Sequence, residues 1–179
     1  ATSTGLDNSP CVAVGSYNMP GLSSAAGITR HGQTCEKNWV HATDSLLVHS
    51  WSPIRIGCIE DKCFVEKHTI NTPFPGYFRN MRGSSHAATL PNGDLLFLTH
   101  IVGYCNPRIY YHCLVVLSKE TFEVKSYSYP FKLDKENVEY SAGLVIKDDQ
   151  AIISYSVNDA SSMLAVFNLE RLMSLLIDV

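Results

Sequence analysis

The sequence predicts an all-β protein that is built from successive antiparallel meanders. Short apolar or alternating runs recur along the chain, each bounded by turn residues, and this pattern is typical of β-strands. Hydrophobic residues make up 45% and charged residues 17% of the 179 residues, which is the composition of a globular chain rather than a disordered or fibrous one. This length suits one domain with a real core.

The strands group into three meanders. The first is predicted to contain Leu46–Trp51, Ile54–Ile59 and Cys63–His68. The second is predicted to contain Ser85–Leu90, Leu95–Val102, Ile109–Leu117 and Phe122–Tyr129, with a hairpin turn at Pro91–Asp94. The third is predicted to contain Val138–Ile146, Ala151–Ser156 and Ser162–Phe167.

A helical pattern occurs only near the end of the chain. Asn168 is a suitable N-cap, and four apolar residues follow at helical spacing, Leu169, Leu172, Met173 and Leu176. We expect a short helix that closes the domain.

Meanders of roughly 35 to 45 residues match the length of one blade of a β-propeller. A β-sandwich uses similar strands, so strand spacing alone leaves both architectures open.

The charge balance bears on the ligand. The formal net charge is −3 and the pI is about 6.2, and the basic residues are scattered singly. A nucleic-acid binder normally shows a basic face or stripe, so we expect no nucleic-acid partner. A neutral, polar ligand such as a sugar fits this balance better than a polyanion.

Targeting and membrane segments are not expected. The longest apolar runs are shorter than the roughly 18 to 20 residues that span a bilayer. Residues 1–10 lack a basic n-region and an apolar h-region, so they do not read as a signal peptide, and the chain does not begin with Met. We therefore expect a processed form or a fragment whose start lies elsewhere.

The six cysteines leave the redox state open. Cys58 and Cys63 flank a hairpin-like turn and would pair if they lay opposite one another, whereas reduced cysteines would act as small core residues. His100, Cys105, His112 and Cys113 lack the tight paired spacing of a short zinc module, so we predict neither a metal site nor a cofactor.

Four short motifs lie at or near blade boundaries: Glu36-Lys37-Asn38-Trp39, Arg82-Gly83-Ser84-Ser85, Arg108-Ile109-Tyr110-Tyr111-His112 and Glu139-Tyr140-Ser141-Ala142-Gly143. The last meander continues to Ile153-Ser154-Tyr155-Ser156-Val157-Asn158-Asp159. In this order and spacing, the segments resemble the five-bladed propellers of the β-fructosidase-like superfamily. The resemblance is strongest to mannoside phosphorylases and to propeller domains found beside glycosyltransferases, and it covers roughly residues 36–176.

The resemblance implies about three blades of a five-bladed ring, whose first strands line a central funnel that binds sugar. Residues 1–35 would be a partial or irregular N-terminal segment, and residues 36–179 would be the blades with a terminal helix. The positions that would face the funnel are Glu36, Asn38 and Trp39 on one blade, Arg82, Ser84 and Ser85 on the next, and Glu139, Ser141 and Gly143 on the third. His112, Asn158 and Asp159 would lie nearby.

The chemistry of these residues suits a sugar, which presents a fixed fan of hydroxyls and an apolar C–H face. Four of these side chains end in a planar group that can bind two neighbouring sugar hydroxyls at once, namely Arg82, Glu36, Asn38 and Glu139. Trp39 is either a stacking platform or a core residue.

Cleavage of a glycosidic bond needs two carboxyl groups, and Glu36 with Glu139 is the pair that we nominate. A phosphorylase would instead need one acid and a cationic phosphate cradle, to which Arg82 and His112 would contribute.

One departure from the catalytic relatives matters. Their general acid is an Asp in an acidic-Pro-Arg motif upstream of the Glu-Lys-Asn-Trp segment, and residues 1–35 offer only Asp7, in a different context. Either the chain is a fragment of a longer protein or it is a non-catalytic derivative.

Three function classes follow. The first is a module that binds or helps to process a glycan within a larger glycosyltransferase-associated protein. The second is a structural or protein-interaction propeller, and the third is an active hydrolase or phosphorylase completed by upstream blades. Because an incomplete propeller exposes strand edges, we also expect a longer chain or an oligomer to complete it.

Overall fold

The computed structural model describes residues 2–4, 10–18, 21–28, 37–71 and 74–179, and it confirms the predicted all-β fold. Side chains before residue 37 are described only for Val12. All strand pairs are antiparallel, and they form four sheets. Among the described residues, no helix is long and apolar enough to cross a membrane.

The first sheet lies in the N-terminal segment. It contains three strands in the order β1-β2-β3, namely β1 (Thr2–Thr4), β2 (Pro10–Asn18) and β3 (Gly21–Ile28). Val12, on β2, is buried.

The second sheet is the first predicted meander with one short strand added in front. Its strands are β4 (Val40–His41), β5 (Leu47–Trp51), β6 (Ile54–Glu60) and β7 (Cys63–Ile70), in that order. Cys58 lies opposite Val65 and Cys63 lies opposite Glu60, so these two cysteines do not face one another, and both are free thiols.

The third sheet is the largest, with the order β16-β12-β11-β10-β8 and with β9 also paired to β10. A 3-10 helix (Gly76–Asn80) leads into it. Its strands are β8 (Met81–Gly83), β9 (Ala88–Thr89), β10 (Leu95–Gly103), β11 (Ile109–Leu117), β12 (Val124–Ser128) and β16 (Leu176–Asp178).

Of the predicted strand Ser85–Leu90, only Ala88–Thr89 forms a strand (β9), while Met81–Gly83 (β8) lies before the predicted start. The Ser85 hydroxyl accepts the Leu98 N–H at 3.0 Å, and the Ala87 N–H donates to the His41 carbonyl of the second sheet. The first bond replaces a backbone contact with β10 by a side-chain contact, and the second directs the chain toward the second sheet, so regular pairing with β10 is interrupted between the two short strands.

The fourth sheet is the third predicted meander. It contains β13 (Glu139–Lys147), β14 (Gln150–Val157) and β15 (Ser161–Asn168). The helix α1 (Leu169–Met173) follows, and the predicted N-cap is confirmed because Asn168 Oδ1 accepts the Arg171 N–H at 3.0 Å. The helix is shorter than predicted, since Leu176 already belongs to β16, which returns to pair with β12.

The third sheet is buried on both faces, and its two central strands explain why. Alternate residues of a strand point to opposite faces. Leu95, Phe97, Cys113, Val115 and Leu117 belong to the core shared with the second sheet. Leu96, Leu98, Leu114 and Val116 belong to the core shared with the fourth sheet.

Three sheets are thus stacked side by side, as in consecutive propeller blades. The outward face of the fourth sheet differs, because Val145, Leu164 and Val166 are 57%, 72% and 56% exposed there.

Gly83 lets the inner strands of the second and third sheets approach closely. A Cβ atom at this position would lie 2.6 Å from the Asn38 carbonyl oxygen and 2.6 Å from Val40 Cγ1. The first of these atoms belongs to the backbone, so it cannot move aside as a flexible side chain would. Glycine is therefore required for the contact between β8 and the segment before β4.

We predict that Gly83→Ala lowers the free energy of unfolding by about 1 to 3 kcal/mol, because the added methyl group overpacks this contact. Gly103→Ala is the matched control on β10, where the nearest atoms would be 3.6 Å and 3.9 Å from the new Cβ. Urea titrations of both variants measure the difference. Equal midpoints for the two variants would show that the close approach is not rigid.

Candidate functional site

Segments from the second, third and fourth sheets, together with Val12 of the first sheet, meet around one cavity of about 390 Å³. Asn38 and Trp39 come from the segment that leads into β4, Ser84 follows β8, and Tyr140 and Ala142 lie on β13. Val12, Val40, Gly83 and His86 complete its lining. The volume falls within the range of small-molecule sites, roughly 300 to 1,000 Å³.

Asn38 and Trp39 form one side of the cavity. Asn38 has a φ angle of 64°, a left-handed conformation that Asn adopts more readily than most residues. The Trp39 ring packs against His49 and Phe64, with centroid distances of 4.9 Å and 5.2 Å. Trp39 is only partly buried, so its ring is anchored in the sheet and still borders the cavity.

Ser84 forms a hydrogen-bonded pair with a buried histidine. Its Oγ lies 2.8 Å from His100 Nδ1, and His100 is 2% exposed. Burial lowers the pKa of His100 to about 4, and the positive charge of Arg82 adds to the effect. His100 is therefore neutral at physiological pH. Its ring meets Tyr140 edge-on at 5.3 Å, and this contact places Tyr140 beside Ser84.

Arg82 lies next to the cavity rather than in its lining. It is opposite His100 in the pairing of β8 with β10, and its Nη2 donates to Tyr104 Oη at 2.7 Å. Ser85, by contrast, is fully buried, and its Oγ bonds the backbone of Leu98.

His112 and Glu139 belong to a second group, which is buried between the third and fourth sheets. Both are fully buried together with Ser141. Ser141 Oγ lies 3.2 Å from His112 Nδ1, and Glu139 Oε2 lies 3.5 Å from His112 Nε2. Burial lowers the pKa of His112 to about 4.

Glu139 also fixes a neighbouring loop. Its Oε2 accepts the Leu133 N–H at 2.8 Å, while the backbone of His112 pairs with Phe131. Glu139 Oε1 and His112 Nε2 have no hydrogen-bond partner among the described residues. This group connects the two sheets and does not line the cavity.

The remaining predicted residues lie elsewhere. Asn158 and Asp159 form the exposed turn between β14 and β15, and both have a φ angle of 53°. Gly143 lies on β13, where a Cβ would come within 2.7 Å of Ser154 Oγ. Glu36 lies outside the described residues.

The structure therefore brings Asn38, Trp39 and Ser84 together and places Arg82 beside them. Strand alternation gives β13 two faces, and the cavity receives Tyr140 and Ala142 rather than Glu139 and Ser141. Sequence reasoning missed Tyr140, His86 and His100. Alternation within the Glu139–Gly143 motif would have nominated Tyr140, had both faces been considered.

Metal binding has no support in the part of the chain that the structure describes. No group of three or more His, Cys, Asp or Glu side chains there is arranged to hold a metal ion.

Comparison with solved structures reveals several similar folds, among them the following two. One is described as belonging to the GH130 family of mannoside phosphorylases, which contains glycoside hydrolases that target beta-1,2 mannosidic linkages in Candida mannan. It is 12% identical in sequence to this chain, and the two structures align with a TM-score of 0.51. The alignment covers 70% of this chain and 43% of the other protein. The other is a glycosyl hydrolase from Bacteroides ovatus, with 13% identity and a TM-score of 0.52 over 79% of this chain and 47% of its own.

The likeness is one of fold. At these identities it shows that the chain shares the propeller-like architecture of these carbohydrate-active proteins, and the chain spans less than half the length of either. No protein-family model matches the chain, and no curated protein is significantly similar to it.

The two buried histidines generate a pH-dependence. Both remain neutral in the folded protein down to about pH 4, whereas in the unfolded chain they bind protons below about pH 6.5. The unfolded state therefore binds more protons in this window. We predict that the free energy of unfolding falls with decreasing pH by about 1.4 kcal/mol per pH unit for each histidine.

Urea titrations of the wild type and of His112→Gln across this window test the prediction. The free energy of unfolding of the variant should depend less steeply on pH, with a slope smaller by the contribution of one proton. Parallel pH profiles would contradict the burial of His112.

Proposed function

We propose that this chain is a carbohydrate-related propeller module that binds a glycan in the cavity where the inner strands of three sheets meet. The observation that carries this proposal is the convergence of Asn38, Trp39, Ser84 and Tyr140 on one open cavity of suitable size. On the sequence resemblance, we further propose that the module acts within a larger glycosyltransferase-associated protein.

The cavity residues match the surface of a sugar. The amide of Asn38 offers a donor and an acceptor, and the Ser84 hydroxyl, held by His100, can exchange hydrogen bonds with a sugar hydroxyl. Trp39 and Tyr140 are aromatic side chains against which the apolar C–H face of a sugar can pack. Their positions are fixed by contacts with Phe64 and His100, so binding would order few side chains.

Binding without cleavage fits the described residues better than catalysis does. Hydrolysis needs two carboxyl groups that flank the bond, and none of the described residues lining the cavity is Asp or Glu. Glu139, one member of the nominated pair, is buried on the other face of β13 and bonds to Leu133.

A glycan array tests the proposal, and it should include β-1,2-linked mannosides because the family of one protein of similar fold is described as containing hydrolases that target such linkages. We predict saturable binding to at least one glycan. Trp39→Ala should weaken the affinity for that glycan, measured by calorimetry, by about tenfold or more, that is, by about 1.4 kcal/mol or more. The reason is that the variant loses the aromatic ring against which the sugar packs.

Tyr129→Ala is the matched control, since Tyr129 is 68% exposed and does not line the cavity. It should bind as the wild type does. If no glycan binds at millimolar concentration, or if both variants lose affinity alike, the protein-interaction function is favoured instead.

A further inference from the structure

A pair of arginines meets at one tyrosine beside the cavity. The loop of residues 104–108 joins β10 to β11 and lies next to the start of β8, because Ile101 of β10 pairs with Met81. Tyr104 on this loop is 68% exposed. Arg82 reaches it from β8, and Arg108 reaches it from the end of the loop itself.

The contacts hold both guanidinium groups against one ring. The Cζ atoms of Arg82 and Arg108 lie 5.8 Å and 5.7 Å from the Tyr104 ring centroid, within the range of a cation–π contact. Arg82 Nη2 also donates to Tyr104 Oη. Because that hydroxyl oxygen accepts from Arg82, its own hydrogen is available to a ligand.

These two positive charges have no counter-charge among the described residues. None of the ion pairs there involves Arg82 or Arg108. Like charges that share one small surface repel one another, and an anion placed between them removes that cost. The fork of donors on each guanidinium fits a carboxylate, sulfate or phosphate group with two parallel hydrogen bonds.

The location connects this anion site with the cavity. Arg82 immediately precedes Gly83 and Ser84, which line the cavity, and it lies opposite His100, to which Ser84 is bonded. We infer that the glycan carries an acidic group, such as the carboxylate of a uronic acid, which binds between Arg82 and Arg108 at Tyr104. This inference rests on the proposed glycan-binding function and specifies its ligand class.

The experiment compares two probes that differ only at C6 of each sugar, which is a carboxylate in one and a neutral hydroxymethyl group in the other. A β-1,4-linked mannuronate oligosaccharide and its carboxyl-reduced form, the corresponding mannose oligosaccharide, are titrated calorimetrically into the protein. We expect the mannuronate to bind about tenfold more tightly at low ionic strength, and we expect high salt to remove most of this advantage.

Variants locate the effect. Arg82→Gln and Arg108→Gln should each reduce the preference for the acidic probe, and the double variant should abolish it, so that the acidic and neutral probes bind with equal affinity. Arg171→Gln, which changes an exposed arginine on α1, is the matched control and should retain the full preference.

The outcomes separate this inference from the proposed function. Equal binding of both probes, lost in Trp39→Ala, would overturn the acidic-group inference and leave glycan binding intact. Failure of both probes and of the whole glycan array would overturn both. If inorganic phosphate alone binds with the same dependence on Arg82 and Arg108 and displaces no glycan, the anion is free phosphate and the inference is wrong.

Discussion

Strands β10 and β11 have apolar side chains on both faces, so each face of their sheet must be covered by another sheet. Residues such as Phe97 and Leu96 alternate between the two cores and are fully buried. Burying large apolar side chains is the dominant favourable term in folding. The stacking of three sheets follows from this requirement, and it brings their inner strands to the same cavity.

The packing between the third and fourth sheets includes a polar group that a purely apolar core would not need. His112, Glu139 and Ser141 are fully buried there, and Glu139 Oε1 has no partner among the described residues. An unsatisfied buried polar atom costs about 1 to 3 kcal/mol. The Leu133 N–H satisfies the other carboxyl oxygen, Glu139 Oε2, and this bond fixes the loop that leads into β13. These residues do not line the cavity, but they hold β13, the strand whose other face contributes Tyr140 and Ala142 to it.

Local charge at the site differs from the charge of the whole chain. The net charge of −3 favoured a neutral ligand, yet Arg82 and Arg108 form a positive spot beside the cavity. The electric field of Arg82 extends to the buried residues, since its charge contributes to the low pKa of His100. Electrostatic interactions weaken with distance and are screened by salt. Two positive charges close to the cavity therefore affect a bound ligand more strongly than scattered charges elsewhere on the chain.

The sequence by itself determined the fold class, most strand bounds and the N-cap at Asn168, because these depend on local periodicity and on bonds between near neighbours. It also nominated Asn38, Trp39 and Ser84. Only the tertiary structure decided that Tyr140 faces the cavity while Glu139 faces the third sheet. Alternation along a strand defines two faces, but which face meets another sheet and which meets the ligand depends on packing between residues far apart in the chain.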